Sequence, residues 1–409
     1  MTSPVRTPSS RATSWYDARE TAHRSARSAG VEELPLAACL GRTLATAMVS
    51  VADSPASDRS AMDGYAVAGS SPWRVAGRSL AGEDQAPALN AGEALEIATG
   101  AVPPVGSVGV LPYEAATVSD GVVHGRVVDG GNIRRRGEEF TAGTPLVQTG
   151  TQLGPAHLGL AATMGLDRIV VHRTAAVSAV ITGAEVVVSG VPGPTQVRDA
   201  IGPMLPGLVS SVGADFVGSR LCGDDPRQLE EWLGRGDDVV LVTGASSAGP
   251  SDFLASTLRR LGARCLVASV ACRPGRPQSL WEVNGSFVVG LPGNPFAALV
   301  AFMTLAAPLV EGMQNRPLAV PLAHLVDPGL TRQVLIRGKT SRGPLTSLTP
   351  ALEREGVLRA TGHDGSAMLR GATAADGLAV SSPAEHDDVR YLHFPWAAGR
   401  EGCSVTGHV

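Results

Sequence analysis

Trp15, Ala18 and Ala22 recur at helical spacing, and Leu34, Leu40 and Leu44 repeat the pattern beyond Gly30. The spacing predicts two helices within residues 15–48, broken near Gly30. From 51 to 137 the pattern changes to short runs of β-formers between Gly-rich turns, such as 108-VGVLPYE-114 and 122-VVHGRVV-128. These predict a small domain of short strands. PAHLGLAATMG, residues 155–165, returns to a helix, opened by Pro155 and closed by Gly165.

From about 174 strands and helices alternate. AVSAVIT (176–182) reads as a buried strand. Val197, Ile201, Met204, Leu205, Leu208, Val209 and Val212 form an apolar stripe at helical spacing, but Pro203 and Pro206 interrupt it. That helix should start late or kink. GADFVGS predicts a strand, PRQLEEWLG a short helix, DDVVLVT a strand and SDFLASTLRRLG a helix. WEV and SFVVGL predict a hairpin around Asn284-Gly285. PFAALVAFMTLAAPLVEGM predicts a long, largely buried helix opened by Pro295. After 318 the pattern is again β-like. The alternation predicts an α/β domain with a mainly parallel sheet, within an α/β and β multidomain chain. The expected division is a disordered tail at 1–12, a helical and extended domain from 13–50 plus 138–173, a small β-rich domain at 51–137, an α/β domain at 174–318 and a β-barrel-like domain at 319–409. The segment 386-HDDVRYLHFPWAAGREGCSVTGHV-409 lacks a clear closing β pattern; its Tyr391, Phe394 and Trp396 could pack on the last domain or dock a protein partner.

Composition narrows the classes. The formal net charge is −4, which gives no basic face for nucleic acid. No wholly apolar run reaches ~18 residues, so no transmembrane helix is expected. The Ser/Thr/Arg-rich start has no apolar segment and does not read as a secretory signal. Cys39, Cys222, Cys265, Cys272 and Cys403 are scattered and odd in number, which fits a reducing cytoplasm rather than a disulfide framework.

In an open α/β sheet, ligands bind beyond the carboxyl ends of the strands. Three loops leave such ends here: 182-TGAEV-186, 243-TGASSAGPSD-252 and 290-GLPGNPF-296. Small residues let backbone N–H groups approach a ligand, and the second and third loops feed helix N-termini, which favour anions. In GLPGNPF, Pro292, Gly293, Asn294 and Pro295 fix a rigid surface with backbone donors.

Six longer motifs stand in order along residues 15–380: 60-SAMDGYAV-67, 98-ATGAVPPVGSVGVLPYE-114, 131-GNIRRRGEEF-140, 273-RPGRP-277, 291-LPGNP-295 and 362-GHDGSAML-369. Together they resemble the MoeA family, the molybdopterin molybdenumtransferases, which also form the E-domain of gephyrin. The resemblance implies a four-domain elongated architecture, a central α/β molybdopterin-binding domain and a homodimer with its cleft shared between subunits. It implies a reaction in which molybdenum from molybdate enters adenylylated molybdopterin, AMP is released and Mg2+ assists.

The resemblance also assigns residues. Asp63 matches an acidic residue facing the cleft, and Thr99 and Gly100 a turn lining it. Arg134, Arg135 and Arg136 form a positive run suited to oxyanions or phosphate. Arg273 and Arg276 fall where the family has the lysines of a KPGKP motif, keeping charge but changing shape. Glu185 matches the acidic end of a TGDEL motif and is the expected Mg2+ ligand together with Asp252; Ala184 replaces the neighbouring Asp. Gly244, Ser247, Gly249 and Asp252 survive from a pattern near TGGVSVGDYD, whereas Ala245, Ser246 and Ala248 depart from it. Asp199 matches the Asp of a D-S/T-N triplet whose Asn is Ile201 here. Asp225 before Pro226 reads first as a helix N-cap. Two functions follow. One is a molybdenumtransferase. The other, resting on Ala184, Ile201 and Ala245, is a catalytically impaired binding or scaffold protein like gephyrin.

Overall fold

The structure is a computed structural model and describes residues 12–82, 88–223, 225–244, 253–331, 339–340, 343–382 and 386–397. The chain divides into two compact units, Glu33–Val171 and the discontinuous Met1–Glu32 with His172–Val409.

The Glu33–Val171 unit is built around a six-stranded sheet in the order 109–112, 64–67, 93–97, 73–79, 122–124, 117–119. Alternation sends Ala66, Leu95, Ile97 and Val110 into one cluster, and Val67, Trp73, Ala94, Leu111 and Val123 into another. Gly64 is required on the central strand, because a Cβ there would lie 2.0 Å from the Leu111 carbonyl oxygen. Leu44, Met48, Phe140, Val147, Leu153, Met164 and Val171 form a separate core in the same unit. The helix Pro155–Thr163 and the positive φ of Gly165 behind it follow the sequence pattern. A second helix within 34–48 does not form. Val31–Pro35 is a strand, Leu36–Ala38 a single 3-10 turn and Met48–Val49 a strand. Pro35 holds Leu34 extended and Gly41 takes a positive φ, so the leucine spacing never acquires a continuous α-helical backbone.

The other unit centres on a six-stranded sheet in the order 215–221, 176–181, 239–242, 286–290, 279–283, 264–267. The first four strands are mutually parallel and the last two join antiparallel. Val239–Val242 and Ser286–Gly290 are buried at every position, as befits strands covered on both faces. The 279–290 hairpin turns on Asn284 and Gly285, both at positive φ. The stripe at 197–212 yields only a 3-10 turn at Gly202–Met204 and the helix Leu205–Ser211, so the helix starts late, around Pro206.

Pro295–Met313 is 19 residues long and apolar enough to span a membrane by length and composition, contrary to the expectation from apolar runs, but 94% of its apolar window is buried within the fold. Its middle, Phe302–Ala306, is π-helical. Pro308 follows it; in an unbroken α-helix its ring would press on the Thr304 carbonyl, and widening the turn removes that clash. The helix Trp15–Ser25 lies against this stretch. Trp15 Nε1 donates to Thr304 Oγ1 at 3.0 Å, and the buried Arg19 guanidinium donates to the Met303 carbonyl and, at 2.5 Å, to that of Ala319. Burial lowers the Arg19 pKa to about 10, opposed by Glu311, so Arg19 remains charged at neutral pH.

A seven-stranded sheet completes this unit, with Cys272–Arg273 pairing onto its strand Thr346–Arg354. His386–His393 is one of its strands, which corrects the expectation that this segment lacks a β pattern. Tyr391 and Phe394 are fully buried, and Trp396 stacks on Phe394 with ring centroids 4.4 Å apart.

Candidate functional site

The three loops singled out from the sequence leave the carboxyl ends of three adjacent parallel strands, 176–181, 239–242 and 286–290. They are tied together at their roots. Thr182 Oγ1 donates to the Thr243 carbonyl at 2.6 Å, and the Leu291 N–H to that of Val242 at 2.7 Å. Gly244 has φ +75°, and a Cβ there would lie 2.4 Å from Thr182 Oγ1. A Cβ on Gly293 would meet the Gly244 Cα at 3.6 Å. Gly244 is thus required here, whereas a methyl group at 293 would make ordinary contact; the two loops lie close together and leave a bare peptide surface at the switch edge of the sheet.

The third loop shapes a cavity of about 450 Å³, lined by Cys272–Pro277, Pro292, Asn294, Ala297, Leu345 and Asp364–Ser366. Arg273 is exposed and Arg276 half-buried in its wall. Among the described residues neither forms a salt bridge with a carboxylate, although Asp364 shares the lining. Two planar cations around a concave space suit a small oxyanion. The 272–278 turn is stiffened from within: Gln278 Nε2 donates to the Gly275 carbonyl at 2.8 Å and to Cys272 Sγ at 3.2 Å. Burial pushes the Cys272 thiol up to about 12, so it stays protonated and serves packing.

At the N-terminus of the helix at Pro295, one backbone donor is already engaged. The Ala297 N–H donates to the Ser366 carbonyl at 3.0 Å, and Asn294 Nδ2 to Ser366 Oγ at 3.1 Å. Ser366 therefore caps that helix from the 362–369 motif, a role its place in GHDGSAML did not reveal. Thr182 and Thr243, the residues that lock the loops, were also missed; each stands directly before a loop glycine, and that was the available signal.

The remaining assigned residues of this unit spread out. Glu185 is exposed, its carboxylate folded over Gly183, where a Cβ would lie 3.0 Å from either oxygen. Asp199 Oδ1 accepts from the Ile201 and Gly202 N–H groups at 2.9 Å each, pinning the turn before Leu205–Ser211. Ile201 is buried in the main core, so position 201 offers no polar contact. Asp225 is the N-cap of Pro226–Leu233, accepting from the Arg227 N–H at 2.9 Å. Ala245, Ser247, Gly249 and Asp252 lie outside the described residues.

In the Glu33–Val171 unit, Asp63 is exposed and its Oδ1 accepts from the Thr99 N–H at 2.6 Å. That hydrogen bond holds its carboxyl below the usual carboxylate range. The turn continues through Gly100 at φ +82°. Beside it Tyr113 donates to Glu96 at 2.6 Å, which pushes the phenol up to about 12. The arginine run is mostly spoken for. Arg135 reaches Asp58 at 2.7 Å; Arg136 reaches Asp53 at 2.5 Å while its N–H donates to Asp58 at 2.8 Å. Among the described residues Arg134 has no carboxylate partner and is exposed.

Among the described residues no group of three His, Cys, Asp or Glu side chains gathers to hold a metal. Glu185 is a single hard oxygen donor at the loop edge. That donor set fits Mg2+ carried mainly on substrate oxygens, which needs only one or two protein carboxylates.

Residues 13–165 match the family model for the MoeA N-terminal region (domains I and II), and residues 178–312 match that for a probable molybdopterin binding domain. The chain is similar to a molybdopterin molybdenumtransferase of Synechococcus elongatus, 32% identical over 320 residues, spanning 72% of this chain and 79% of the relative. It is similar to molybdopterin molybdenumtransferase 2 of Mycobacterium tuberculosis, 33% identical over 305 residues, spanning 69% and 75%. Among solved structures it is similar to a molybdopterin biosynthesis MoeA protein from Pyrococcus horikoshii, with TM-score 0.73 and 25% identity over 94% of this chain and 97% of that one.

Proposed function

Because the chain belongs to the MoeA family of molybdenum cofactor biosynthesis, we propose that it is a molybdopterin molybdenumtransferase that takes adenylylated molybdopterin and molybdate and releases AMP. The observation that carries this reading is the joint formed by Gly244 and Gly293 beside the Arg273–Arg276 cavity. The bare peptide edge at Thr182–Gly183, Gly244 and Gly293 accepts the phosphate-bearing end of the substrate through backbone N–H groups. Arg273 and Arg276 draw molybdate, as substrate, into the neighbouring cavity; Pro292, Asn294 and Pro295 fix its rim.

Mg2+, when bound, supplies charge neutralisation at the leaving phosphate. Glu185 is its described protein ligand in this proposal, with Asp252 as the second. Asp63, held ionised by Thr99, and Arg134 and Arg136 are the substrate contacts assigned to the Glu33–Val171 unit, which the proposed homodimer brings from one subunit to the cleft of its partner. Arg136 makes its contact only by leaving Asp53. We include a homodimer and a cytoplasmic setting in the proposal. The latter is supported by Cys39, Cys222, Cys265 and Cys272, all free thiols.

Purified protein with adenylylated molybdopterin, molybdate and Mg2+ should release AMP in a molybdate-dependent manner. Glu185→Ala and Asp63→Asn should each slow it at least about tenfold. Binding of the pterin without AMP release would move the protein to the scaffold reading, which the burial of Ile201 favours.

A further inference from the structure

Arg59–Ser60 and Ile133–Arg134 form a short antiparallel ribbon in the Glu33–Val171 unit, with Ser60 opposite Ile133 and Arg59 opposite Arg134. Ser60 is buried and Ile133 packs against the core of the small sheet. Alternation therefore turns both arginines to the outer face, with Cβ atoms about 4.5–5.5 Å apart. Like charges directly opposite one another destabilise a ribbon. One residue further along both segments the charges are matched instead, and Arg135 meets Asp58 at 2.7 Å. Among the described residues neither Arg59 nor Arg134 forms a salt bridge.

The backbone holds this like-charged pair in place from both sides. The Ser60 N–H donates to the Ala101 carbonyl and the Gly100 N–H to the Ser60 carbonyl, each at 2.8 Å. The Ala61 N–H donates to the Asn132 carbonyl at 2.8 Å, and Asn132 Nδ2 to that of Val110 at 2.9 Å. Arg59 is also oriented through its side chain, since Nη1 donates to the Gly100 carbonyl at 3.1 Å. That bond lays the half-buried guanidinium against the Thr99–Gly100 turn, whose Thr99 N–H is already taken by Asp63. The turn leaves room beside it: a Cβ on Gly100 would meet no atom within 4 Å. Arg59 keeps further N–H donors for whatever enters that room.

We propose that Arg59 and Arg134 form a two-armed clamp for a diphosphate group, with Arg59 the oriented arm and Arg134 the exposed one. This rests on reading the Glu33–Val171 unit as a substrate contact, and it adds Arg59 to that contact. An anion between the two guanidiniums replaces their repulsion with charge-assisted hydrogen bonds to both. Two forks side by side suit the oxygens of two linked phosphates, the linkage that adenylylation creates on a phosphorylated substrate.

The test is calorimetric titration of full-length protein with inorganic pyrophosphate. It is made in an Arg273→Ala, Arg276→Ala background, so that the other arginine pair contributes nothing. Arg59→Ala, Arg134→Ala and both together are added to that background, with thermal unfolding run beside them. The expected result is an affinity loss of about tenfold for Arg59→Ala and a few-fold for Arg134→Ala. The double variant should depart from the product of the two losses, because both arms hold one anion. Losses that simply multiply would make them separate contacts and overturn the clamp. Arg59→Ala with a lowered midpoint and unchanged affinity would make Arg59 a tie to Gly100 alone and overturn it equally, as would a background protein that binds no pyrophosphate. AMP release by chains with Arg273 and Arg276 intact separates this proposal from the function it rests on. Release with a KM for adenylylated molybdopterin that Arg59→Ala does not raise would remove the clamp and keep the transferase. Coupled pyrophosphate binding without any AMP release would keep the clamp and remove the transferase.

Discussion

Two turns in this molecule present paired arginines, and they meet opposite fates. In 131-GNIRRRGEEF-140, Arg135 and Arg136 close onto Asp58 and Asp53, and the same carboxylates accept the Arg136 and Ala142 N–H groups. They bind the turn to the segment at 53–58. In 273-RPGRP-277, Arg273 and Arg276 form no salt bridge among the described residues and stand around a cavity. In sequence both motifs read as anion contacts. The difference is made by two aspartates about 80 residues away in the first case and by the prolines and Gly275 that hold the second turn open. An arginine motif announces charge; the nearest carboxylate decides whether the charge is free to bind anything else.

That contrast can be broken by mutation. The largest effect is expected from the double substitution Arg273→Ala with Arg276→Ala. Oxyanion affinity should fall by on the order of a hundredfold in calorimetry, with little change in thermal midpoint. A lowered midpoint with affinity intact would put the second turn in the same class as the first. Gly244→Ala should come next. It forces a side chain into a left-handed position against Thr182 Oγ1, costing about 1–3 kcal/mol, and AMP release should drop with the midpoint.

Arg136→Ala should leave oxyanion affinity alone and lower the midpoint at neutral pH. Its signature is in acid. Hydrogen bonds from Ala142 and Arg136 hold Asp53 below its ordinary 3.8, and those from Arg136 and Arg135 do the same for Asp58. The stability they confer is present above 3.8 and lost as pH falls through the lower folded values. The gap between variant and parent in a melting series should narrow below that point. The smallest effect belongs to Arg134→Ala, the member of the run without a carboxylate partner among the described residues. It should raise the KM for adenylylated molybdopterin a few-fold without moving the midpoint.

Much of the α/β core could be read from the chain because its strands are continuous apolar runs bounded by glycines. Val239–Val242 and the 279–290 hairpin needed only composition and Asn284-Gly285. The leucines at 34, 40 and 44 misled because spacing alone carries no backbone information; Pro35 and Gly41 decided that segment. At the site, Gly244 and Gly293 were legible as loop glycines, but their contact with one another depends on strand order, which no local pattern encodes. Ser366 was hidden for the same reason: it caps a helix that begins 71 residues earlier at Pro295.

The π-helical turn at Phe302–Ala306 has a consequence on the ribosome. The Met303 carbonyl holds Arg19 across 284 residues. At about 5–20 residues per second, the helix Trp15–Ser25 emerges roughly 15–60 s before its berth has been synthesised. Meanwhile all of Glu33–Val171 emerges and can fold. Trp15, Ala18 and Ala22, fully buried in the finished protein, must wait through that interval for their apolar partners, so an early segment docks only after a whole later unit has been made.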